Sequence, residues 1–486
     1  MNLYKNILLI CFALILSACS SPKTSITLLQ LNDVYEISPL NGGKTGGVAR
    51  IATLLQQLRK ANPNTYGILA GDLLSPSAIG TSIQNGEPLA GKQMIALFNH
   101  LKWDYATFGN HEFDIGKTAL LKRLAESDTV FFSSNVLDSE TGKPLLNSQK
   151  TVVFEVDGVK VGLIGVTLSE LKQKFIQISD PLIATQQAIQ KLKQQQVELI
   201  ILVTHQDLES DIQFAEKLDD VDLIIGGHEH ENIYLRRGKN LVPIAKADAN
   251  AKSAFIHQIS VDKHNGSKQI ESKLLFLDET IALDTETEKL VQQWQQQAFN
   301  LFKAQGFEPE RIIAQIKEPL DGQEASIRNK TTALTDLIAN AYLHAYPEAD
   351  VSLYNGGSIR IDDILPAGAI TEYDVIKILP FSGELQLVKM SGEILQKALK
   401  AGLNLKGHGG FLHYANIGFD KDQWQVAGKA IELTKDYKVV TVGFLLEKGD
   451  AGLEFLKFSE TPSIKRLTDV KIDTRKALIN EILQIK

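Results

Sequence analysis

Cysteine is nearly absent: the chain of 486 residues has two, Cys11 and Cys19, both within its first twenty positions. That excludes a disulfide framework and a thiolate metal site for the rest of the chain, so any metal must be held by His, Asp and Asn. Long apolar runs are also scarce. The N-terminal one, Ile7 to Leu16, has ten residues, about half of the ~20 that a spanning helix needs. Basic runs are missing as well. The formal net charge is -7, and no Lys/Arg stretch has the density of a nucleic-acid footprint. An acidic chain that acts on an anionic substrate must recruit local positive charge, from metal ions or from placed arginines.

What is present begins with an address. Lys5 supplies a positive start, the ten-residue apolar run follows, and Leu16-Ser17-Ala18-Cys19 closes it. Residues 1–18 therefore read as a cleaved secretory signal. The small residues before Cys19 resemble a bacterial lipobox, which implies lipidation of the Cys19 thiol. Such an acyl anchor ties a protein to a membrane by lipid alone. The expected location is the cell envelope, on the outer membrane facing the periplasm or the surface if the cell is Gram-negative.

The remaining length exceeds what one core usually fills, so two domains are expected. From Ser25 onward, apolar runs of strand length alternate with helical patterns: ITLLQL, YGILAGDLL, YATFG, KVGLIGV, ELIILVTH and DLIIGGH. Runs rich in Ile, Val and Leu that end on a polar residue or a glycine turn are buried strands of an α/β layered fold. Such sheets place ligands at the carboxyl ends of their strands. A Gln-rich helical stretch follows, TETEKLVQQWQQQAFNLFK. The boundaries read as 19–283 for the first domain, 284–310 for a linker helix and 311–486 for the second domain.

The chemistry sits on the strand ends. Asp33 follows TLLQLN, Asp72 follows ILAG, Asn110 and His111 follow TFG, His205 follows ILVT, and His228 and His230 follow DLIIGG. A single Asp in such a place is usually a helix cap or turn residue. Such residues on one strand end after another point to a shared task. Carboxylate, imidazole and amide oxygen are the ligands of hard and borderline divalent ions, and a shared carboxylate can bridge two of them.

These segments carry a resemblance to a known family. LNDVYE, GGVARIATLL, LAGDLLSPS, FGNHEFDIG, VTHQDLESD and GGHEH are similar to motifs of the calcineurin-like metallophosphoesterases, specifically the bacterial 5'-nucleotidase and UDP-sugar hydrolase family. The resemblance implies a four-layer α/β/β/α metallophosphoesterase sandwich and a separate C-terminal α/β nucleotide-binding domain, joined by a helix. It also implies two divalent ions, drawn from Mn, Zn, Mg, Co or Ca. Asp33, Asp72 and His230 would hold one ion, and Asp72, Asn110, His205 and His228 the other, with Asp72 as the bridge. His111 and Asp114 fall on the family's catalytic pair; Glu112, between them, reads as solvent-facing. One position departs from the pattern. The family has Asp-x-His at the first motif, and this chain has Asp33-Val34-Tyr35. The phenol could bind as phenolate, hydrogen-bond a bound water, or fill space.

The second domain matches in part. SIRNKTTALTDL aligns Arg328 with the family's R-x-x-E-T-N-x-G-x-L arginine, while Thr331, Ala333 and Thr335 replace its Glu, Asn and Gly. YNGGSIR places Asn355 and Arg360 in the implied nucleotide site. GGFLHYAN and GFLLEKGDAG resemble the two segments whose aromatics sandwich the base. Phe444 and Asp450 fit the second segment as base stacker and ribose-binding acid. In the first, Phe411 and Tyr414 fit equally. Aromatic stacking tolerates any base, so the clamp implies a nucleotide without naming it. The expected activity is phosphate release from nucleoside 5'-monophosphates. Hydrolysis of UDP-sugars or 2',3'-cyclic nucleotides, or nucleotide binding without turnover, are the alternatives.

Overall fold

A computed structural model of the protein describes residues 23–171 and 173–485. The signal segment and Cys19 lie outside the described residues. Two six-stranded sheets form the first domain. One is ordered Lys268–Phe276, Ser253–Asp262, Lys23–Leu31, Thr65–Leu69, Tyr105–Thr107, Val130–Phe132. The other is ordered Ile233–Arg237, Val242–Lys246, Leu223–Gly226, Leu199–His205, Val159–Thr167, Thr151–Val156. The inner strands of each sheet run parallel to their neighbours, and the outer hairpin strands are antiparallel.

The strand reading rested on apolar continuity, and burial explains it. Every residue of Leu199–His205 is buried, because that strand has a sheet packed on one face and helices on the other. Ile26, Leu28, Ile68 and Ile259 of the first sheet meet Leu163, Leu199, Ile201 and Ile225 of the second in one dry layer. Helices Pro181–Gln194 and Leu208–Lys217 cover the second sheet through Ala188, Ile189, Leu192, Phe214 and Ala215. Helices Val48–Ala61, Lys92–Leu101 and Gly116–Glu126 cover the first. The layers are therefore α/β/β/α.

Helix Thr285–Ala304 starts at Asp284, whose carboxylate accepts from the Thr287 N–H. It packs on Val48–Ala61 and Lys92–Leu101 and sends Phe299 against Tyr373, ring centroids 4.7 Å apart. The apolar cluster outside the first sheet continues through this helix into the second domain. There a further sheet is ordered Leu412–Ala415, Val351–Asn355, Asp436–Val442, Glu384–Ser391, Lys465–Arg466. No helix among the described residues is long and apolar enough to cross a membrane.

Candidate metal and nucleotide site

The central strands of both sheets open on the same edge, and there the chain takes an uncommon backbone. Asp33, Asp72 and His228 all have positive φ, at 53°, 61° and 83°. A non-glycine residue in that region costs on the order of 1–3 kcal/mol and persists only when its surroundings over-determine it. They do so here. The Asp33 N–H donates to Gly71 O at 3.0 Å, the Val34 N–H to Asp72 O at 2.9 Å, and the His228 N–H to the Asp33 carboxylate at 3.0 Å. Two glycines make room for this. A Cβ on Gly109 would lie 2.1 Å from the Asp72 carboxylate, and one on Gly71 would lie 2.5 Å from the His205 ring.

Asp33, Asp72 and His205 bring one ligand atom each within 4.8 Å of one another, all buried. His205 Nδ1–H donates to Ala70 O at 2.8 Å, which leaves Nε2 as the lone-pair nitrogen. That nitrogen faces the Asn110 amide oxygen at 3.1 Å and an Asp72 oxygen at 3.3 Å. His230 has the same arrangement. Its Nδ1–H reaches Asp362 at 3.2 Å, and its Nε2 faces Asp33 at 3.6 Å. Acceptor atoms aimed at one another in a buried site require a cation between them, so this donor set fits divalent metal ions. Burial opposes a charged ring there, yet the Asp72 and Asp33 carboxylates push His205 up to about 10, which shows how strongly this site favours positive charge. His228 is more peripheral. Its ring lies 5.3 Å from that of His205, with Nε2 3.4 Å from Asp207.

Tyr35 does not merely fill space. It is buried, and its hydroxyl sits 2.8 Å from Asp72, 3.1 Å from Asp33 and 3.5 Å from His230 Nε2. Burial, then the Asp72 and Asp33 charges, raise the phenol well above its usual range.

His111 opens the short turn after Asn110. Its backbone N–H donates to Asp72 at 2.8 Å, and its Nδ1–H donates to Asp114 at 2.6 Å. The second domain approaches from the other side, where Arg360 Nη1 comes within 3.4 Å of His111 Nε2. A cleft between the domains is lined by Tyr35, His230, Glu324, Arg360 and Asp362. Of the remaining residues expected at the nucleotide site, Asn355 donates to Asp450 at 2.8 Å, and the Gly356 N–H donates to Phe411 O at 2.7 Å. Phe411 is buried, whereas Phe444 is 45% exposed. The Tyr414 ring turns away to pack edge-on against Trp424, centroids 5.8 Å apart. Arg328 is ion-paired with Glu324 at 2.6 Å.

Three features escaped the sequence reading. Glu112 is not solvent-facing. It is fully buried, and its two oxygens accept from the backbone N–H groups of Asp72, Leu73, Leu74 and Gly109 at 2.9, 2.5, 3.1 and 2.6 Å. Burial and the Asp72 charge push it up to about 7, but four amide donors accept no rival proton, so the geometry is that of a carboxylate. Lys246 is also fully buried. It donates to Gln206 O at 2.6 Å and Gly227 O at 2.9 Å, and pairs with Asp211 at 2.9 Å and with Glu229. It thereby ties the turn after His205 to the turn before His228. A lysine closing the apolar strand VPIAK was the available signal. Asp362 is the third. A residue of the second domain, it orients His230 of the first, as a carboxylate behind a metal-binding imidazole does.

Residues 26–232 match the calcineurin-like phosphoesterase family, and residues 312–458 match the C-terminal domain of 5'-nucleotidases. The chain belongs to the 5'-nucleotidase family of calcineurin-like phosphoesterases. The human 5'-nucleotidase is 25% identical over 501 residues, covering 89% of this chain and 84% of that protein. Protein UshA of Yersinia enterocolitica is 24% identical over 485 residues, covering 87% and 86%. Among solved structures, a 5'-nucleotidase precursor from Thermus thermophilus superposes with a TM-score of 0.80 at 21% identity, covering 95% and 96%. That last likeness is one of fold. In this family two divalent ions serve the hydrolysis, and the buried cluster of Asp33, Asp72 and His205 is the site here that fits them.

Proposed function

We propose that the chain hydrolyses nucleoside 5'-monophosphates outside the cytoplasm, held to a membrane by a lipid on Cys19. The observation that carries the reading is the convergence of Asp33, Asp72, Asn110, His205 and His230 on one buried site beside the His111–Asp114 pair. The human relative, a 5'-nucleotidase, supports the nucleotide as substrate.

Asp33, Asp72 and His230 would hold one ion, and Asp72, Asn110, His205 and His228 the other. When bound, two such ions activate water and neutralise the attacking and leaving oxygens of phosphoryl transfer. The rest falls to the chain. Asp114 fixes His111 with its proton on Nδ1, so Nε2 is the atom that holds and passes a proton at the leaving nucleoside oxygen. Arg360 brings a planar fork to the same cleft, suited to phosphate oxygens. In the second domain, Phe444 with Phe411 or Tyr414 would stack on the base, Asp450 and Asn355 would take the ribose hydroxyls, and Arg328 would lie nearby. Phe411 is the better partner of the two, since it adjoins the Asn355–Gly356 turn, whereas Tyr414 is engaged with Trp424.

The test is a phosphate-release assay on protein stripped by chelator and restored with Mn, Zn, Mg, Co or Ca. AMP, a UDP-sugar and a 2',3'-cyclic nucleotide serve as substrates. Metal-dependent release from AMP is the expected result. Release only from the other two would change the substrate class, and silence on all, with nucleotide still bound, would favour a binder.

A further inference from the structure

His413 stands where three segments of the second domain meet. It lies on strand Leu412–Ala415, opposite Tyr354 of the antiparallel neighbour Val351–Asn355, and the two rings are 5.4 Å apart. Tyr354 is itself fixed, its hydroxyl donating to Thr335 O at 3.0 Å. From this base the imidazole Nε2–H donates to Ile327 O at 2.7 Å, one residue before Arg328. The same ring stands at 82° to that of Phe411, centroids 5.3 Å apart. The Asn355–Gly356 turn closes over that hydrogen bond, since a Cβ on Gly356 would lie 3.0 Å from Ile327 O and 3.5 Å from His413 Nε2. Building on the reading of the second domain as the nucleotide site, we propose that His413 is a positioning residue of that site, holding the Phe411 ring and the turn before Arg328 at the spacing a nucleoside needs.

His413 is 3% exposed, so it acts through these neighbours and not on the nucleoside. Two demands fall on it together: a flat ring to pack beside Phe411 and Tyr354, and a donor for a buried carbonyl, which is costly to leave unpaired. Neutral imidazole meets both with one proton. Burial pushes the ring down to about 4 against the opposing pull of the Ile327 carbonyl, and Nδ1 has no hydrogen-bond partner among the described residues. A second ring proton would therefore be stranded, and the neutral form persists at neutral pH. The link to Phe411 is mechanical. Arg328 O accepts from the Gly407 N–H at 2.9 Å, so a turn released from His413 carries with it the loop that leads to Phe411.

Wild type and the variants H413F, H413N and H413Q, restored with metal, would be titrated with adenosine by calorimetry. Turnover of AMP and of a small base-free phosphoester would be measured on the same preparations. H413F keeps a ring and loses the donor. It should retain the wild-type circular dichroism and bind adenosine roughly tenfold less tightly, the scale of one buried hydrogen bond lost. H413N, whose shorter amide falls short of Ile327 O, should weaken in the same way. H413Q returns a donor at the reach of Nε2 and should bind within about threefold of wild type, since only the ring contact is then missing. With AMP the defect should appear in KM and spare kcat, and the base-free phosphoester should change little. An H413F variant that binds as wild type does, or Asn and Gln variants weakened alike, would overturn the proposal. A wild type that binds no adenosine would overturn it together with the nucleotide reading, and wild-type phosphate release reports on the hydrolase reading by itself.

Discussion

Glu112→Gln exchanges one oxygen of a buried carboxylate for an NH2 group, and the surroundings make that exchange severe. Oε1 accepts from Leu73 and Leu74 and Oε2 from Asp72 and Gly109. Whichever way the amide turns, one pair of backbone N–H groups then faces a donor. A hydrogen bond to a charged acceptor contributes about 1.5–3 kcal/mol, so the loss of two is worth about 3–6 kcal/mol. Total stability of a domain is only about 5–15 kcal/mol, and the same hydrogen bonds hold Asp72 at its φ of 61°. The turn carrying Asp72 should therefore relax toward a less strained backbone and carry the shared carboxylate out of the cluster. Urea denaturation should show the loss of stability, and elemental analysis after desalting should show metal content well below two ions per chain. A Gln variant within about 0.5 kcal/mol of wild type that keeps its full metal complement would refute this account of Glu112.

Other expectations follow from the same contacts. Phe444→Ala should weaken nucleotide binding by the ~1–3 kcal/mol of one stacking face and leave hydrolysis of a small base-free phosphoester unchanged. His111→Ala should instead lower turnover on both substrates by ~10²–10⁴-fold, and steady-state kinetics on the pair separates the two. Lys246→Met strands Asp211 and Glu229 without their counter-ion and should cost ~3–5 kcal/mol, the scale of a broken buried ion pair; an unchanged urea midpoint would contradict it. His257 is held neutral, with Nε2–H donated to Gln30 and Nδ1 accepting from Ser272, both at 2.8 Å, and burial pushes it down to about 3. A depressed histidine contributes its full stability above the unfolded value near 6.5 and loses it as pH falls toward 3. Going from pH 7 to pH 5 should thus cost about 2 kcal/mol in urea unfolding, and His257→Gln should flatten that slope.

The layered α/β fold and the strand-end residues were readable in the chain because both rest on local pattern. A strand buried on two faces is a continuous apolar run, and the first polar residue after it stands at the sheet edge, whatever the distant chain does. Asp33, Asp72, Asn110 and His205 could be found in that way. The outer strands Ser253–Asp262 and Lys268–Phe276 were less legible, since the latter faces solvent along much of its length and mixes polar with apolar residues. Glu112 misled for a related reason. An acid in a glycine-flanked turn reads as exposed until the folded backbone aims four N–H groups at it. What Lys246, Asp362 and Arg360 meet depended on tertiary structure entirely. Their partners lie 40 residues away at Gln206, 132 at His230 and 249 at His111. Tyr35 shows the division within one residue. The sequence determined that a phenol replaces the family's imidazole, and only the fold decided that its oxygen would meet Asp33, Asp72 and His230. Composition and spacing govern which groups a strand delivers, whereas the separation between groups on different strands and domains is set by how the sheets and domains pack.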